Sequence, residues 1–246
     1  MKTLKYKRRF YRDWIRQVDL YVAHVVSKET DLQISTDKPI DGDFVRERIQ
    51  SYRFDIERYI TRDKRFLTAL KPIPIELDAP AIVKKMGEAS RCTSVGPMAA
   101  VAGAIAEFLG KDLLKMGFKE VIVENGGDIF LASRKIRRVG IYTGKRRLWR
   151  GLCLEIKPKL TPLGICTSSG RVGHSLSFGC ADSVVVLSKD TALADAVATA
   201  TCNRVTSKES LEAALNFARS IKGVLGVVII LKNNLITWGE VKFKKT

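Results

Sequence analysis

The chain has 246 residues, and its 43 lysines and arginines outnumber its 26 acidic residues, giving a formal net charge of +17. Hydrophobic residues make up 46% and charged residues 28%, a balance that excludes a disordered chain and permits a large buried core. No apolar run reaches the roughly 18 residues that a membrane-spanning helix needs. The basic start, residues 1–10, has no apolar stretch, which argues against a secretory signal and for a cytoplasmic protein.

The excess of positive charge favours an anionic partner, such as a nucleotide or a nucleic acid, without selecting one. Its densest stretch spans residues 134–150, where basic side chains alternate with Val139, Ile141 and Tyr142. This alternation predicts a hairpin with one solvated basic face. Because no nucleic-acid-binding motif accompanies the charge, nucleic acid is the less favoured partner. The sequence leaves the oligomeric state open, a homo-oligomer included.

The first part of the chain predicts a β-hairpin followed by helices. Residues 20–35 form two apolar runs around a polar turn, as in a hairpin. Asp43 is placed to cap a helix, because apolar residues follow it at a spacing of three or four. Asp78 is expected to cap a second helix. Pro97 is suited to begin a third, rich in small residues, that ends at Gly117.

The second part of the chain alternates short strands with helices. Asp190 is placed to cap a helix over residues 191–202, and residues 206–209 have the pattern of a capping box for the next helix. An Asn233–Asn234 turn predicts a final hairpin. The strands predicted before these helices cover residues 121–123, 129–131, 139–142, 152–156, 163–166 and 183–187.

This order of elements predicts one α+β domain with mixed or antiparallel sheets packed against helices. Residues 1–116 would supply the N-terminal hairpin and helices. Residues 117–246 would supply a β/α region that carries the polar motifs. No linker or low-complexity segment separates the two parts.

The helix predicted over residues 191–202 contains the sequence Ala-Asp-Ala-Val-Ala-Thr-Ala at 194–200. Asp195 and Thr199 are four residues apart, so their side chains face the same way on a helix. Carboxylate and hydroxyl oxygens are ligands that Mg²⁺ prefers, with water or phosphate completing the set. The structural alternative stays open: Asp195 would bind a loop, and Thr199 would bond to its own helix.

Three loops offer polar groups to an anionic ligand. One leads into the helix that begins at Pro97, where free N–H groups and the helix dipole suit a phosphate. Another follows the strand at 163–166 and carries Arg171, which can pair with phosphate, and His174, an acid or base near neutral pH. The third is the Asn-Gly-Gly-Asp segment at 125–128. The alternative for the second loop is that it binds nothing, and the alternative for the third is a tight hairpin turn. The candidate ligand-contacting residues are Ser94, Gly96, Asn125, Gly126, Gly127, Asp128, Thr167, Ser168, Ser169, Gly170 and Arg171.

The chain resembles the ApbE-like superfamily, flavin transferases that take FMN from FAD and attach it to a protein threonine. The resemblance lies in Gly-Gly-Asp at 126–128, Thr-Ser-Ser-Gly at 167–170 followed by a histidine, and Ala-Asp-Ala-x-Ala-Thr-Ala at 194–200. Residues 94–103 and 164–170 are similar to a branch found in methanogenic archaea and some bacteria. The resemblance implies an ApbE-like, T-fold-related domain.

The resemblance also implies roles for individual residues. Asp195 and Thr199 would bind Mg²⁺, and the metal would hold the pyrophosphate of FAD. His174 matches the family's histidine, and Gly126 and Gly127 match the glycine turn beside the flavin. The reaction would be metal-assisted attack on a phosphorus of FAD, with His174 or a carboxylate taking the proton of an acceptor protein's hydroxyl.

One departure from the family pattern follows the histidine. Transferases usually continue into an Asp-Pro-x-Thr-Gly segment, whereas this chain reads Ser-Leu-Ser-Phe-Gly at 175–179. Binding of metal and flavin nucleotide (FAD or FMN) could therefore persist where transfer does not.

The cysteines support a second hypothesis. The five cysteines are odd in number and scattered, which indicates reduced and mostly buried thiols. The archaeal branch has been linked with sulfur transfer in homocysteine synthesis, which implies a persulfide on a cysteine and a sulfur-transfer partner. Cys166 is the candidate, because loop amides and Arg171 could stabilise its thiolate. The alternative is that Cys166 ends a buried strand and is inert.

Overall fold

The structure, a computed structural model, describes residues 18–143, 147–170 and 178–245. The strands are β1 (Tyr21–Ser27), β2 (Thr30–Thr36), β3 (Val121–Asn125), β4 (Asp128–Ala132), β5 (Arg137–Gly140), β6 (Leu152–Ile156), β7 (Leu163–Ser168), β8 (Ser183–Ser188), β9 (Val224–Leu231), β10 (Asn234–Gly239) and β11 (Phe243–Lys245). The α-helices are α1 (Gly42–Arg62), α2 (Arg65–Thr68), α3 (Ala81–Thr93), α4 (Val101–Lys115), α5 (Thr191–Arg204) and α6 (Leu211–Ser220). Short 3₁₀ turns cover Pro97–Ala100, Arg147–Trp149 and Pro158–Leu160.

The described strands form two antiparallel sheets. The large sheet has eight strands in the order β1-β2-β3-β4-β7-β8-β9-β10, and the small sheet has three in the order β11-β6-β5. The α+β class predicted from the sequence is confirmed. Strands β1 and β2 complete the large sheet together with strands from the C-terminal half, so the fold is one domain.

The large sheet is covered on both faces, which explains its apolar central strands. In β8, Val184 and Val186 pack in a cluster with α5 and α6. Val185 and Leu187 point the opposite way, into a cluster with the small sheet. A strand buried on both faces reads as a continuous apolar run rather than an alternating one. The helix-covered face is the one that carries the candidate site.

The N-terminal hairpin and first helix form where the sequence predicts them, but with a different cap. Strands β1 and β2 pair around a turn at which Lys28 has a φ of 53°. Asp41, not Asp43, caps α1, because the Asp41 side chain accepts a hydrogen bond from the backbone N–H of Asp43. The predicted helical spacing is confirmed by the buried residues Val45, Ile49, Tyr52, Ile56 and Tyr59.

Two other predicted caps are wrong. The Asp78 side chain contacts Arg62 in an ion pair, and α3 begins after Pro80 without a side-chain cap. The pattern at 206–209 does not start a helix, because α6 begins at Leu211. There the Ser210 hydroxyl accepts the backbone N–H groups of residues 206 and 207 instead. The Asp190 cap of α5 is confirmed by its hydrogen bond from the N–H of Leu193.

The basic stretch at 134–150 does not form the predicted self-contained hairpin. Its strand β5 pairs with β6, beyond the stretch, and residues 144–146 lie outside the described residues. Arg137 is buried rather than solvated, and its guanidinium contacts Asp19 at 2.6 Å and Glu120 at 2.8 Å. One cation of this stretch is therefore a structural ion-pair partner.

The candidate site lies at one end of the large sheet, which we call the turn end. Because β3, β4, β7 and β8 are antiparallel neighbours, the β3–β4 turn, the C-terminus of β7 and the N-terminus of β8 meet there. Helix α5 runs back towards this end, since the N–H of Cys180, shortly before β8, binds the carbonyl of Val205.

Among the described residues, no single helix has both the length and the apolar character needed to cross a membrane. The segments Ala81–Thr93 and Pro97–Lys115 would have both only if taken together, and the chain bends by 106° between them.

We predict that Gly103→Ala destabilises the fold, because helices α4 and α5 touch at Gly103. An added Cβ would lie 2.5 Å from the carbonyl oxygen of Thr191, a backbone atom that cannot rotate away. Overpacking of this kind costs about 1–3 kcal/mol, which exceeds the gain of up to about 1 kcal/mol in helix propensity. Denaturant unfolding measures the difference. Gly42→Ala is the control, because no atom lies within 4 Å of its added Cβ. An unchanged Gly103→Ala protein would contradict the contact.

We also predict that Arg137→Met lowers the free energy of unfolding by about 3–5 kcal/mol at neutral pH, because it leaves Glu120 buried without its partner. Lys135→Met is the control: it also contacts Asp19 but is 63% exposed, so its effect should stay within about 1 kcal/mol.

This Arg137 effect should depend on pH. Hydrogen bonds from Arg137 and Lys135 lower the pKa of Asp19. Burial would raise the pKa of Glu120, but hydrogen bonds from Ser133 and Arg137 lower it. A lowered pKa stabilises the fold above the ordinary pKa, and that stability is lost as the pH falls. The difference between the wild type and Arg137→Met should therefore shrink below the ordinary values of 3.8 and 4.5. A difference that stays constant down to acidic pH would contradict the ion-pair explanation.

Candidate metal and nucleotide site

Asp195 and Thr199 lie on α5, whose residues 191–202 are all buried. The exposed fraction is 7% for Asp195 and 6% for Thr199, so both are below the surface without being sealed from it. Asp195 Oδ2 accepts a hydrogen bond of 2.8 Å from the N–H of Gly103. N–H groups in the first turn of a helix have no partner within that helix. Asp195 therefore caps α4 from the neighbouring helix, whereas its structural alternative placed this hydrogen bond at a loop.

A second buried carboxylate, that of Asp128, lies close to Asp195. Asp128 is the first residue of β4, and its Oδ1 accepts the N–H of Thr167 at 3.3 Å. Burial raises the pKa of Asp195 well above its usual value, and the charge of Asp128 raises it further, whereas the N–H groups of Gly103 and Ala102 lower it. Two repelling carboxylates create a negative potential that a divalent cation would neutralise.

The Asn125–Asp128 motif forms the tight hairpin turn that was its structural alternative. Gly126 and Gly127 have φ values of +70° and +106°, a region that favours glycine. The turn nevertheless belongs to the site. Asn125 Nδ2 donates to the carbonyl of Ala102 at 3.2 Å, and Gly127 lies beside Thr167 across the strands. The turn is thus fixed against both the start of α4 and the end of β7.

The Thr-Ser-Ser-Gly motif begins inside β7. Cys166 packs in the cluster that contains Ala194 and Ala198 of α5, so strand alternation directs Ser168 to the same helix-covered face. The Ser168 hydroxyl is buried and makes no hydrogen bond within the described residues. Leaving such a group unpaired costs about 1–3 kcal/mol. A bound ligand at this face could supply the partner. Thr167 and Ser169 are half-buried.

The 3₁₀ turn Pro97–Ala100 packs against α5, and the loop that leads into this turn holds Ser94 and Gly96. Gly96 is required for packing: a Cβ there would lie 1.7 Å from the carbonyl oxygen of Ala69. Ser94 is exposed in the left-handed conformation that ends α3, with a φ of 61°. The geometry explains both residues without an anion, so the predicted phosphate contact at Ser94 and Gly96 has no support from it.

Arg171 and His174 lie outside the described residues, but both flanks of that segment are fixed. The N–H of Gly170 binds the carbonyl of Ala181, and the Gly170 backbone packs tightly on Gly179. The N–H of Phe178 binds the Asn203 side chain at 2.8 Å. Asn203 lies one turn beyond Thr199 on α5. The described residues on either side of 171–177 therefore lie near the C-terminal end of α5, the helix that carries Asp195 and Thr199.

The environment of Cys166 is opposite to the one that a persulfide carrier needs. The side chain is fully buried within β7, and its Sγ donates to the carbonyl of Thr191 at 3.3 Å. Burial raises the pKa of the Cys166 thiol well above its usual value, and the charges of Asp128 and Asp195 raise it further. The expectation of a thiolate stabilised by loop amides and Arg171 is therefore wrong for this geometry. The alternative of an inert, buried cysteine fits, although β7 continues to Ser168 rather than ending at Cys166.

The oxygen donors fit a small hard cation. Two carboxylates and the hydroxyls of Thr199 and Ser168 lie at the helix-covered face of the turn end, and Mg²⁺ prefers such ligands. Within the described residues, no group of three or more histidine, cysteine or acidic side chains could hold a metal ion by itself. Such a cation would need further ligands from hydroxyls, the backbone, water or a bound phosphate.

Two side chains outside the predicted site residues fix the site from a distance. Glu107 is buried on α4, and its carboxylate accepts the N–H groups of Thr191 and Ala192, the first residues of α5. Asn203 anchors the flank at Phe178. An acidic residue in the otherwise apolar run of α4 was the available signal for Glu107. Nothing local marked Asn203.

The fold matches solved structures that share little sequence with it. A variant of the flavin transferase ApbE from Vibrio cholerae superposes with a TM-score of 0.59 at 14% identity, covering 90% of this chain and 97% of that chain. The ApbE protein of Thermotoga maritima gives a TM-score of 0.52 at 12% identity, covering 92% and 97%. The architecture is therefore that of the ApbE fold.

Sequence relatives define the family. A profile described as "AbpE bacteria" matches residues 12–240. A UPF0280 protein of Methanocaldococcus jannaschii is 39% identical over 226 residues, covering 90% of this chain and 91% of its own. One from Methanocella arvoryzae is 40% identical over 213 residues, covering 87% and 86%. The chain belongs to this ApbE-like family of UPF0280 proteins, which confirms the predicted resemblance to the branch in methanogenic archaea.

We predict that Cys166 resists alkylation in the native protein, because its thiol is buried and held protonated, whereas exposed Cys92 reacts readily. Brief iodoacetamide treatment followed by peptide mass spectrometry measures both sites in one sample. The control is the same treatment in denaturant, where both should react. Native labelling of Cys166 at the rate of Cys92 would contradict the buried geometry and revive the sulfur-transfer hypothesis.

Proposed function

We propose that this protein binds Mg²⁺ and FAD at the turn end of the large sheet and transfers FMN from FAD to a hydroxyl of an acceptor protein. The observation that carries the proposal is the buried carboxylate of Asp195 beside that of Asp128, on the helix-covered face. Membership in an ApbE-like family supports the reaction class. The solved proteins of the same fold include two named as flavin transferases.

The carboxylate pair supports cation binding on energetic grounds. A buried charge is costly unless it is paired, and two like charges add repulsion to that cost. The N–H of Gly103 offsets part of it for Asp195. A divalent cation would offset the remainder and favour the ionised form of Asp195. Its bound phosphates would then find the Ser168 hydroxyl, which makes no hydrogen bond among the described residues.

The chain's own residues would divide the work as follows. Asp195, Asp128 and the Thr199 hydroxyl would hold Mg²⁺, whose chemistry is to neutralise charge on the pyrophosphate. The glycine turn at 126–127 presents backbone without side chains, so a flat ring can approach it closely. Asn125 holds that turn against α4 and so keeps the distance between the turn and the capped helix fixed.

In the proposed reaction, the acceptor hydroxyl oxygen forms a bond to the phosphorus of the FMN half. The bond between that phosphorus and the bridging pyrophosphate oxygen breaks, and AMP leaves. The hydroxyl proton passes to a base, for which His174 and a site carboxylate remain the predicted candidates. His174 directly precedes the segment that departs from the Asp-Pro pattern of the family. The protein could therefore bind FAD without transferring FMN.

We predict that Asp195→Asn abolishes Mg²⁺-dependent binding of FAD without unfolding the protein. Asparagine still offers an oxygen to the N–H of Gly103, but it removes the charge that the cation needs. Isothermal titration with FAD in the presence of Mg²⁺ or a chelator measures the effect, and a loss of more than about tenfold in affinity is expected. AMP release then reports whether bound FAD is cleaved.

Asp190→Asn is the matched control, because it lies on the same helix, keeps a good cap residue and contacts Lys85 rather than the site. Its affinity for FAD should equal that of the wild type. Thermal unfolding adds a second measurement: only proteins with Asp195 should gain stability from Mg²⁺ and FAD, by about 2.7 kcal/mol at a ligand concentration of 100 Kd. FAD binding that survives Asp195→Asn or chelation would overturn the proposal.

A further inference from the structure

The first turn of α5 is held by a side chain that the proposed reaction does not use. A helix leaves the N–H groups of its first residues without partners inside the helix, and they point out of its N-terminus. In α5, Asp190 Oδ1 accepts the N–H of Leu193 at 2.9 Å. Glu107 Oε2 of α4 accepts the other two, from Thr191 at 2.6 Å and from Ala192 at 3.3 Å. One oxygen atom of another helix therefore holds the start of α5.

The Glu107 carboxylate is itself fixed. Its residue is 1% exposed, and its second oxygen, Oε1, lies 2.5 Å from Lys111 Nζ and 3.9 Å from Lys85 Nζ. One oxygen thus binds α5 and the other binds cations, and hydrogen bonds to an ionised group are stronger than those between neutral groups. A buried carboxylate with partners on both oxygens cannot turn freely, so Glu107 gives α5 a fixed point of attachment.

The backbone contacts of Thr191 fix α5 in a different direction. Added Cβ atoms at Gly103 of α4 and Gly164 of β7 would each lie 2.5 Å from a backbone atom of Thr191. The same Cβ on Gly103 would lie 2.8 Å from Asp195 Cβ, so α4 passes along the side of the first turn. These contacts limit sideways movement of α5. Because helix N–H groups point along the helix axis, Glu107 limits movement along that axis.

Movement along the axis matters, because the proposed cation ligands lie on two different elements. Asp195 and Thr199 lie one and two turns beyond Thr191 on α5, whereas Asp128 lies on β4. A shift of α5 along its axis would change the separation between Asp128 and the other two. Mg²⁺ needs near-ideal octahedral geometry with oxygens at about 2.0–2.1 Å, whereas Ca²⁺ accepts about 2.3–2.6 Å and a flexible geometry. A loosely held α5 would therefore harm Mg²⁺ binding more than Ca²⁺ binding.

We propose that Glu107 is a positioning residue that makes the cation site selective for Mg²⁺ over Ca²⁺. The proposal rests on the proposed function, in which Asp195, Thr199 and Asp128 bind the cation. Glu107 acts through α5, since its own oxygens are occupied by the helix and by lysine. Residues that orient metal ligands without touching the metal change metal affinity by about 10- to 100-fold when they are replaced.

The test measures the Mg²⁺ and the Ca²⁺ concentrations that half-saturate FAD binding to the full chain, followed by flavin fluorescence. The wild type should need less Mg²⁺ than Ca²⁺. Glu107→Asp keeps the charge but shortens the side chain by one methylene, and the close contact at Gly103 stops α5 from moving in to meet it. We expect this variant to raise the Mg²⁺ concentration by about 10- to 100-fold and the Ca²⁺ concentration by less than about threefold.

Three further variants separate this role from charge and from stability. Glu107→Gln keeps the length and an amide oxygen for both N–H groups of α5, so it should keep the wild-type ratio of the Ca²⁺ to the Mg²⁺ concentration. Lys111→Met removes a charge partner of Glu107 and leaves the N–H groups bound. Arg137→Met lowers stability at the small sheet. Both should also keep the wild-type ratio.

A ratio unchanged by Glu107→Asp would overturn the proposal, as would a wild type that needs no less Mg²⁺ than Ca²⁺. A fall of the ratio in Glu107→Gln would also overturn it, and this measurement stands even where Glu107→Asp does not fold. An equal fall in Arg137→Met would overturn it too, because lower stability alone would then be the cause. If the wild type binds FAD with neither cation, the proposed function fails as well. If it binds FAD with Mg²⁺ and Glu107→Asp keeps the ratio, only this inference fails.

Discussion

The mutual capping of α4 and α5 is the contact on which the site depends. Asp195 of α5 accepts the N–H of Gly103 in the first turn of α4, and Glu107 of α4 accepts the first N–H groups of α5 at Thr191 and Ala192. Each helix thus satisfies backbone donors that the other leaves unpaired. Gly103 permits the approach, because any Cβ there would strike the backbone of Thr191. A shift of either helix would break both caps, so the position of Asp195 is strongly determined.

The same contact gives Asp195 two roles that conflict energetically. As a cap it is best ionised, since a carboxylate accepts N–H groups well and is favoured at a helix N-terminus. Beside Asp128, however, its ionised form is repelled, and burial adds to the penalty. Without a cation, the repulsion between the two buried carboxylates destabilises the folded protein. Part of the free energy of cation binding would therefore come from the relief of this repulsion. This is how binding sites commonly trade stability for function.

Local signals predicted the elements well where the decisive partners are close in sequence. The Asp190 cap, the glycine turn at 126–127 and the helical spacing from Val45 to Tyr59 each depend on residues within one or two turns. The wrong cap predictions arose where another polar group competed for the same hydrogen-bond partner. Asp78 had an alternative partner in Arg62, and the Ser210 hydroxyl accepts the N–H of Thr206, which a capping box at 206–209 would have used. Helix-capping preferences do not show which of several nearby polar groups will form the hydrogen bond.

For the same reason, the sequence predicted some residues of the site but not the contacts that position them. Asp195, Thr199 and Asp128 stand in recognisable motifs, so their chemistry could be read from the sequence. That Asp195 also caps α4 could not, because Gly103 is 92 residues away. The prediction that Cys166 ends its strand beside a loop failed similarly. Strand β7 continues two residues beyond Cys166, to Ser168, and α5 covers it, which turns an expected thiolate into a buried thiol.

The layered fold sets a geometric condition on any reaction with a protein acceptor. The carboxylates and Ser168 lie on the helix-covered face of the large sheet, whereas the small sheet covers the other face. An acceptor protein must therefore bring its hydroxyl to the site from the helix side or from the turn end, because the small sheet blocks the opposite face. At the turn end, the glycines at 126–127 present backbone without side chains.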